Sequence, residues 1–147
     1  MMAGSRDTYD VTVQEEEGDA FKHYLQGIMN EYHEAFPAMQ VPKSRRFILR
    51  ATDDKGDIVG GAIIWIYWNW LEISLLALEK EVRGQGLGRR LMRVMEDKAR
   101  AEGCTKARVE AFGHQALGFY QKLGYQIVGK LEGYPEGFDY YWLRKGL

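Results

Sequence analysis

At 147 residues, with 46% hydrophobic residues and a formal net charge of −1, the chain is long enough to bury one proper core and has no general attraction for nucleic acid. Its single cysteine, Cys104, excludes an internal disulfide, and with His23, His33 and His114 scattered along the chain no metal-ligand spacing is present and no metal is expected. The charge is uneven, because residues 1–42 hold two basic and eight acidic side chains while residues 83–108 hold eight basic and three acidic, so one stretch suits cations and the other phosphates.

Met1 to Thr8 has no periodic pattern and reads as a loose end. No charged start leads into an apolar run, so no secretory signal is expected and a cytoplasmic location follows. Tyr9 to Gln14 alternates in polarity as a first strand. Asp19 then caps a helix in which Phe21, Tyr24, Leu25, Ile28 and Tyr32 recur at helical spacing and which ends before Pro37; its apolar stripe reads as core packing. Phe47 to Thr52 reads as a strand, Asp53 to Asp57 as a turn, and Ile58 to Trp68 with Trp70 to Leu78 as a hairpin turning near Asn69. The apolar run from Ile58 to Leu78 is interrupted by Asn69 and Glu72 and is rich in aromatic and β-branched residues. Two paired strands therefore explain it better than a membrane span. In the next helix Leu87, Leu91, Val94, Met95 and Ala99 form the expected buried stripe, with Arg89, Arg90, Arg93, Asp97 and Arg100 off it. Cys104 reads as a buried small apolar residue. Ala107 to Phe112 is a strand, Gln115 to Leu123 a helix, and Gln126 to Lys130 and Phe138 to Arg144 the last strands. The fold class is α/β: a single mixed sheet flanked by helices, in the order β-α-β-β-β-α-β-α-β-β, with residues 1–147 forming one domain without repeat or linker.

The most informative segment runs from Leu71 to Leu91, where an apolar strand passes through Glu79-Lys-Glu-Val-Arg83-Gly-Gln-Gly-Leu-Gly88 into a helix opening with Arg89 and Arg90. A helix start offers unpaired N–H groups, and Gly84, Gly86 and Gly88 let an anion approach them without side-chain obstruction. No lysine followed by a hydroxyl residue ends the turn, and the glycines fall at every second position. Neither the nucleoside-triphosphate loop nor the dinucleotide fingerprint fits. What remains, Arg83-x-x-Gly86-x-Gly88, resembles the pyrophosphate loop of the GNAT N-acetyltransferases. A second segment, Ala116-Leu-Gly-Phe-Tyr-Gln-Lys-Leu-Gly-Tyr125, puts Ala116, Phe119, Tyr120 and Leu123 on one helical face and stops at Gly124. It is similar to that family's second cofactor motif. The two motifs, with the β-rich segment before them, extend the resemblance over roughly residues 45–147, and the order of elements is that of the GNAT fold.

The resemblance implies an acetyl-CoA-dependent transferase acting on a primary amine by direct attack in a ternary complex, with no metal. It places the pantetheine arm along Leu76, Ala77 and Leu78, the pyrophosphate on the loop Arg83, Gly84, Gln85, Gly86, Leu87, Gly88 and Arg89, and Phe119 beside the cofactor. An amide near Leu76 is placed to stabilise an oxyanion. Glu72, five residues before Ala77, corresponds to the position of the family's catalytic glutamate and would be the general base, while Tyr120 corresponds to its tyrosine acid. Strand periodicity puts Glu72 on one face with Trp70, Ser74 and Leu76, so burial would strengthen it as a base; the alternative is a carboxylate that only pairs near the hairpin turn. For Tyr120 the alternative is an aromatic packed in the core. One departure stands out, since many members carry asparagine where this chain has Gly113. Glu31, Tyr32, His33, Glu34 and Phe36 resemble the segment that walls the acceptor side, with Tyr67, Trp68 and Trp70 at the hairpin, and aromatics beside carboxylates favour an ammonium. The expected partner is thus a small-molecule amine ahead of a protein lysine, with no nucleic acid and no membrane, and a homodimer stays open. The rival readings are a catalytically silent acetyl-CoA-binding regulatory module and a nucleotide-binding or interacting domain.

Overall fold

In the computed structural model, residues 9–15, 18–39 and 44–147 are described; the expected loose end at residues 1–8 lies outside them. The chain divides into two compact units, Met1–Gln40 and Val41–Leu147. The first holds helix α1 (Ala20–Glu34) and a short helical turn, Pro37–Met39. The helix stops before Pro37 as its sequence predicts. Asp19 stands at its N-cap position but makes no side-chain capping bond. Phe21 and Tyr24 stack at 5.9 Å, yet no residue of α1 is buried. Within this unit the described residues offer no second layer over the stripe that its sequence assigns to a core. The expected first strand fails to form. Tyr9, Val11 and Val13 alternate, but residues 9–15 carry no strand and all three side chains are exposed, because alternation alone does not supply a pairing partner.

The second unit is built on strands β1 (Arg45–Thr52), β2 (Ile58–Tyr67), β3 (Trp70–Leu78), β4 (Lys106–Phe112), β5 (Gln126–Leu131) and β6 (Tyr140–Gly146), with helices α2 (Leu87–Ala101) and α3 (Leu117–Lys122). They form one mixed sheet in the order β1-β2-β3-β4-β6-β5. The first three strands are an antiparallel meander. β3 and β4 are parallel, joined by a crossover through α2, as a parallel pair requires.

β3 carries the feature that positions everything else. Its pairing with β4 runs only from Trp70↔Lys106 to Ile73↔Val109. At that point the β2–β3 register slips, Ile64 facing Ile73 while Ile63 faces Leu75, so Ser74 is bulged. Beyond it Leu75–Leu78 stays paired to β2 alone, and β4 runs on to Phe112 paired to β6. A bulge bends and twists its strand, and the sheet splays open between the second half of β3 and the end of β4.

One face of the sheet is closed by α2 and α3 over Ile64, Leu71, Met92, Met95 and Leu143, which are fully buried. The stripe of α2 differs from expectation. Val94 is exposed, whereas Met92 and Glu96 are buried beside Leu91, Met95 and Ala99. Glu96 is tolerated inside because Lys145 Nζ lies 2.9 Å from its carboxylate and the Tyr125 hydroxyl donates to it at 3.1 Å. Cys104 is buried as expected; burial above all, then the Glu102 charge, pushes its thiol pKa up.

Candidate active site

The loop after β3 is shaped by two side chains folded back onto it. Arg83 Nε donates to the Leu78 carbonyl at 2.9 Å and Gln85 Nε2 to the Glu81 carbonyl at 3.2 Å. Both sequence-predicted binding residues thus brace the loop. Gly84 and Gly86 sit at φ 75° and 83° with open space where a side chain would project, and Gly86 is the N-cap of α2. The first helical bond runs from Arg90 N–H to the Gly86 carbonyl. That leaves the N–H groups of Leu87, Gly88 and Arg89 without a helical partner, and no acidic residue occupies the first turn. Arg89 and Arg90 are exposed beside them. This helix start is arranged to hold an anion.

The second motif packs against the first. A Cβ on Gly88 would meet the Phe119 ring at 3.3 Å, so glycine permits the close approach of α2 and α3. Phe119 is half-buried there and lies edge-on to Tyr120 at 5.2 Å. Tyr120 is itself buried and packs on Tyr125 at 5.7 Å. Its hydroxyl has no hydrogen-bond partner among the described residues, and burial pushes its pKa up to about 12. Gly113, where the sequence departs from the family pattern, has a local cause. A Cβ there would stand 2.9 Å from the Tyr141 ring, so a larger residue requires that ring to move. Beside it, the His114 ring packs against Phe138 at 4.8 Å and Phe112 at 5.8 Å.

Glu72 lies on the sheet face away from α2, half-buried and not enclosed by apolar groups as expected. Register places it opposite Trp65 on β2 and Arg108 on β4. Arg108 donates from Nε at 2.9 Å and from a terminal nitrogen, and both bonds fall on Glu72 Oε2. Oε1 has no partner among the described residues. With Ser44, Tyr67, Trp68, Trp70 and Arg108 it lines an open pocket of about 700 Å³. A second, smaller pocket of about 140 Å³ lies at the splay between Glu72, Ser74, Arg108, Glu110 and Tyr140. Trp68 turns the hairpin at φ 50°, an uncommon conformation for a bulky residue. Asn69 holds the turn by bonding Thr105 through both backbone and side chain at 2.9 Å. Tyr67 and Trp70 are thus brought together with Glu72. Glu31, Tyr32, His33, Glu34 and Phe36 belong to α1 and its tail in the first unit.

Sequence reasoning missed Arg108 and Glu110. Both sit on the outward face of β4 by simple alternation, but their relation to Glu72 depends on the parallel register of β3 and β4, which local patterns do not encode. Among the described residues no group of three or more histidines, cysteines or acids could hold a metal, and no helix is long and apolar enough to cross a membrane.

Comparison with known proteins gives the arrangement a family. The family model described as the acetyltransferase (GNAT) family matches residues 7–125. A blasticidin-S acetyltransferase of Streptomyces morookaense is 36% identical over 112 residues, covering 76% of this chain and 82% of that protein. Among solved structures, an acetyltransferase from Bacillus cereus superposes with a TM-score of 0.81 at 26% identity over 92% of this chain and 98% of its own. A candidate streptothricin acetyltransferase from Bacillus anthracis, in complex with acetyl coenzyme A, gives 0.61 at 20% identity over 72% and 64%. GNAT acetyltransferases use acetyl-CoA. Because the matched span runs through the phosphate loop and the whole second motif, the chain belongs to the GNAT family and is an N-acetyltransferase.

Proposed function

We propose that this chain binds acetyl-CoA in the splay, along Leu76, Ala77 and Leu78 and on the amides of the Gly84–Arg89 loop, and passes the acetyl group to a primary amine of a small molecule in a ternary complex. The observation that carries the reading is the abrupt end of β3–β4 pairing at Ile73↔Val109 immediately before a helix start with three unpartnered N–H groups. A thioester arm can pair with the free edge of β3 while its pyrophosphate rests on α2. The small-molecule acceptor is supported by the relative named for blasticidin-S. The family match runs across the boundary between the two units, which supports their working as one N-acetyltransferase domain. A cytoplasmic location fits an intracellular acetyl donor, and a homodimer is compatible with this reading.

In the proposed reaction the amine nitrogen forms a bond to the thioester carbonyl carbon, the C–S bond breaks, and the amine's surplus proton must leave. Glu72 is the proposed acceptor of that proton. Its support is the one-sided grip of Arg108, which occupies Oε2 and leaves Oε1 without a partner among the described residues, on a side chain that lines the pocket. An ammonium with a pKa near ~10.4 costs on the order of 4 to 5 kcal/mol to deprotonate at neutral pH, so a positioned base contributes substantially. Tyr120 is proposed as the acid on the leaving side. Its hydroxyl, at about 12, is a weaker acid than a thiol near ~8.5 by several units. Tyr120 would therefore hydrogen-bond the departing thiolate more than protonate it outright. The test is CoA release measured across a panel of amines, amino alcohols and lysine peptides. Release with small amines supports the reading; acetyl-CoA binding with no acceptor in the panel would favour a silent binding module.

A further inference from the structure

Three carboxylates face or flank the sheet, and their charge balance differs. Glu96 is matched by Lys145 and Glu72 by Arg108. Glu110 is held otherwise. Tyr140 donates its hydroxyl to Oε2 at 2.6 Å and Trp142 its indole N–H to Oε1 at 3.2 Å, both by register, since Trp142 stands opposite Glu110 and Tyr140 two residues back on β6. Both donors are neutral. Among the described residues no lysine or arginine pairs with Glu110, so the two bonds fix the carboxylate in place without cancelling its charge. Each oxygen keeps a lone pair free.

Its position along β4 adds to this. Val109 makes the last pair with β3, which makes Glu110 the first residue of β4 inside the splay. There it shares the pocket of about 140 Å³ with Glu72, Ser74 and Arg108, whose guanidinium is taken up by Glu72. Glu110 stands two residues beyond Arg108, the partner of Glu72 across β3 and β4, so a strand rise of ~3.3 Å per residue and a strand spacing of ~4.8 Å root the two carboxylates roughly 8 Å apart. Tyr140 edges Phe112 at 4.9 Å and Trp142 at 5.7 Å, so aromatic rings border the carboxylate on the β6 side. Glu110 is exposed, but its two donors fix it in place, and a charged donor that meets a fixed carboxylate makes a charge-assisted hydrogen bond, the stronger kind.

Resting on the acetyl-transfer reading, we propose that Glu110 is a specificity-determining residue that holds a second cationic group of the acceptor, an ammonium or guanidinium a few bonds from the amine being acetylated. Glu72, its charge already met by Arg108, serves the reacting amine, and Glu110 serves the group that stays charged. The acceptor class is then a small dication rather than a monoamine.

The test compares straight-chain three-, four- and five-carbon diamines with the amino alcohols of the same length, in wild type, Glu110→Gln and Glu110→Asp, reading kcat/KM by CoA release. Acetyl-CoA binding and thermal melting are followed in parallel. Wild type is expected to prefer at least one diamine over its amino alcohol by about 10- to 100-fold, the range of one hydrogen bond to a charged group. Glu110→Gln, which keeps the shape and an acceptor for one donor, should collapse that ratio toward one, and Glu110→Asp should restore part of it. A purely structural role would lower both substrates alike and leave the ratio intact, which overturns the inference. So would a wild type that shows no diamine preference, or that binds acetyl-CoA yet turns over neither series. Absence of acetyl-CoA binding would instead remove the reading beneath it.

Discussion

Glu72 and Tyr120 are asked to do unequal amounts of work, and their surroundings say why. The proposed base removes a proton that is held tightly at neutral pH, and general-base catalysis is worth about 10²- to 10⁴-fold. The proposed acid meets a leaving group that is already a fair one. Glu72→Gln is therefore expected to lower kcat by roughly 10²-fold or more, with partial rescue at higher pH because more of the amine is then deprotonated, whereas Tyr120→Phe should cost under about tenfold. Rate–pH profiles of the two variants against wild type check this order, and equal rates for wild type and Glu72→Gln at all pH values would assign the proton to water or another residue. Arg108 has its own signature. Arg108→Met removes the side chain that grips Glu72 Oε2, and kcat is expected to fall while acetyl-CoA affinity is kept, which single-turnover rates and calorimetric titration check.

At the scale of elements, α2 joins two tasks: its start faces the splay and its middle anchors the core. Replacing Glu96 with alanine leaves the Lys145 ammonium and the Tyr125 hydroxyl without their partner, and a loss of roughly 2 to 3 kcal/mol in urea unfolding is expected. Acetyl-CoA binding should survive in the folded fraction, because the helix start is untouched. Much of this element structure was legible in the sequence. The meander from Arg45 to Leu78 declared itself by β-branched and aromatic runs broken at Asp53–Asp57 and Asn69, and the turn into α2 by glycine spacing. What was not legible depends on partners distant in sequence. Tyr9–Gln14 alternates like a strand but finds no edge; Val94 lies one step off a stripe that centres on Met92 and Glu96 only because Lys145 and Tyr125 come from elsewhere. The pairing of Glu72 with Arg108 and the clash that keeps residue 113 a glycine both arise from register between strands, which no local period reveals.

At the scale of the whole molecule, Tyr67 is held above its ordinary range by burial and then by the Glu72 charge, and three further phenols are held higher. Tyr120 and Tyr140 are each raised to about 12, both first by burial and Tyr140 then by Glu110, and Tyr125 is pushed higher still by burial and Glu96. The folded state favours the neutral phenol in each case, so this stabilisation is complete below pH ~10, the unfolded value, and is lost as pH rises from there through the folded values. Urea midpoints should fall above pH ~10, and less steeply in Tyr120→Phe, which removes one of these groups. The family assignment itself makes a stronger demand, that one loop carries the cofactor. The most direct measurement is calorimetric titration of acetyl-CoA into wild type and Gly86→Glu, with circular dichroism to confirm folding. Gly86 is exposed at φ 83° with empty space beside it, so a glutamate there strains only the loop while placing a negative charge at the mouth of α2. Binding by wild type and its loss in a folded Gly86→Glu is the expected result; equal acetyl-CoA affinity in the two proteins would contradict it.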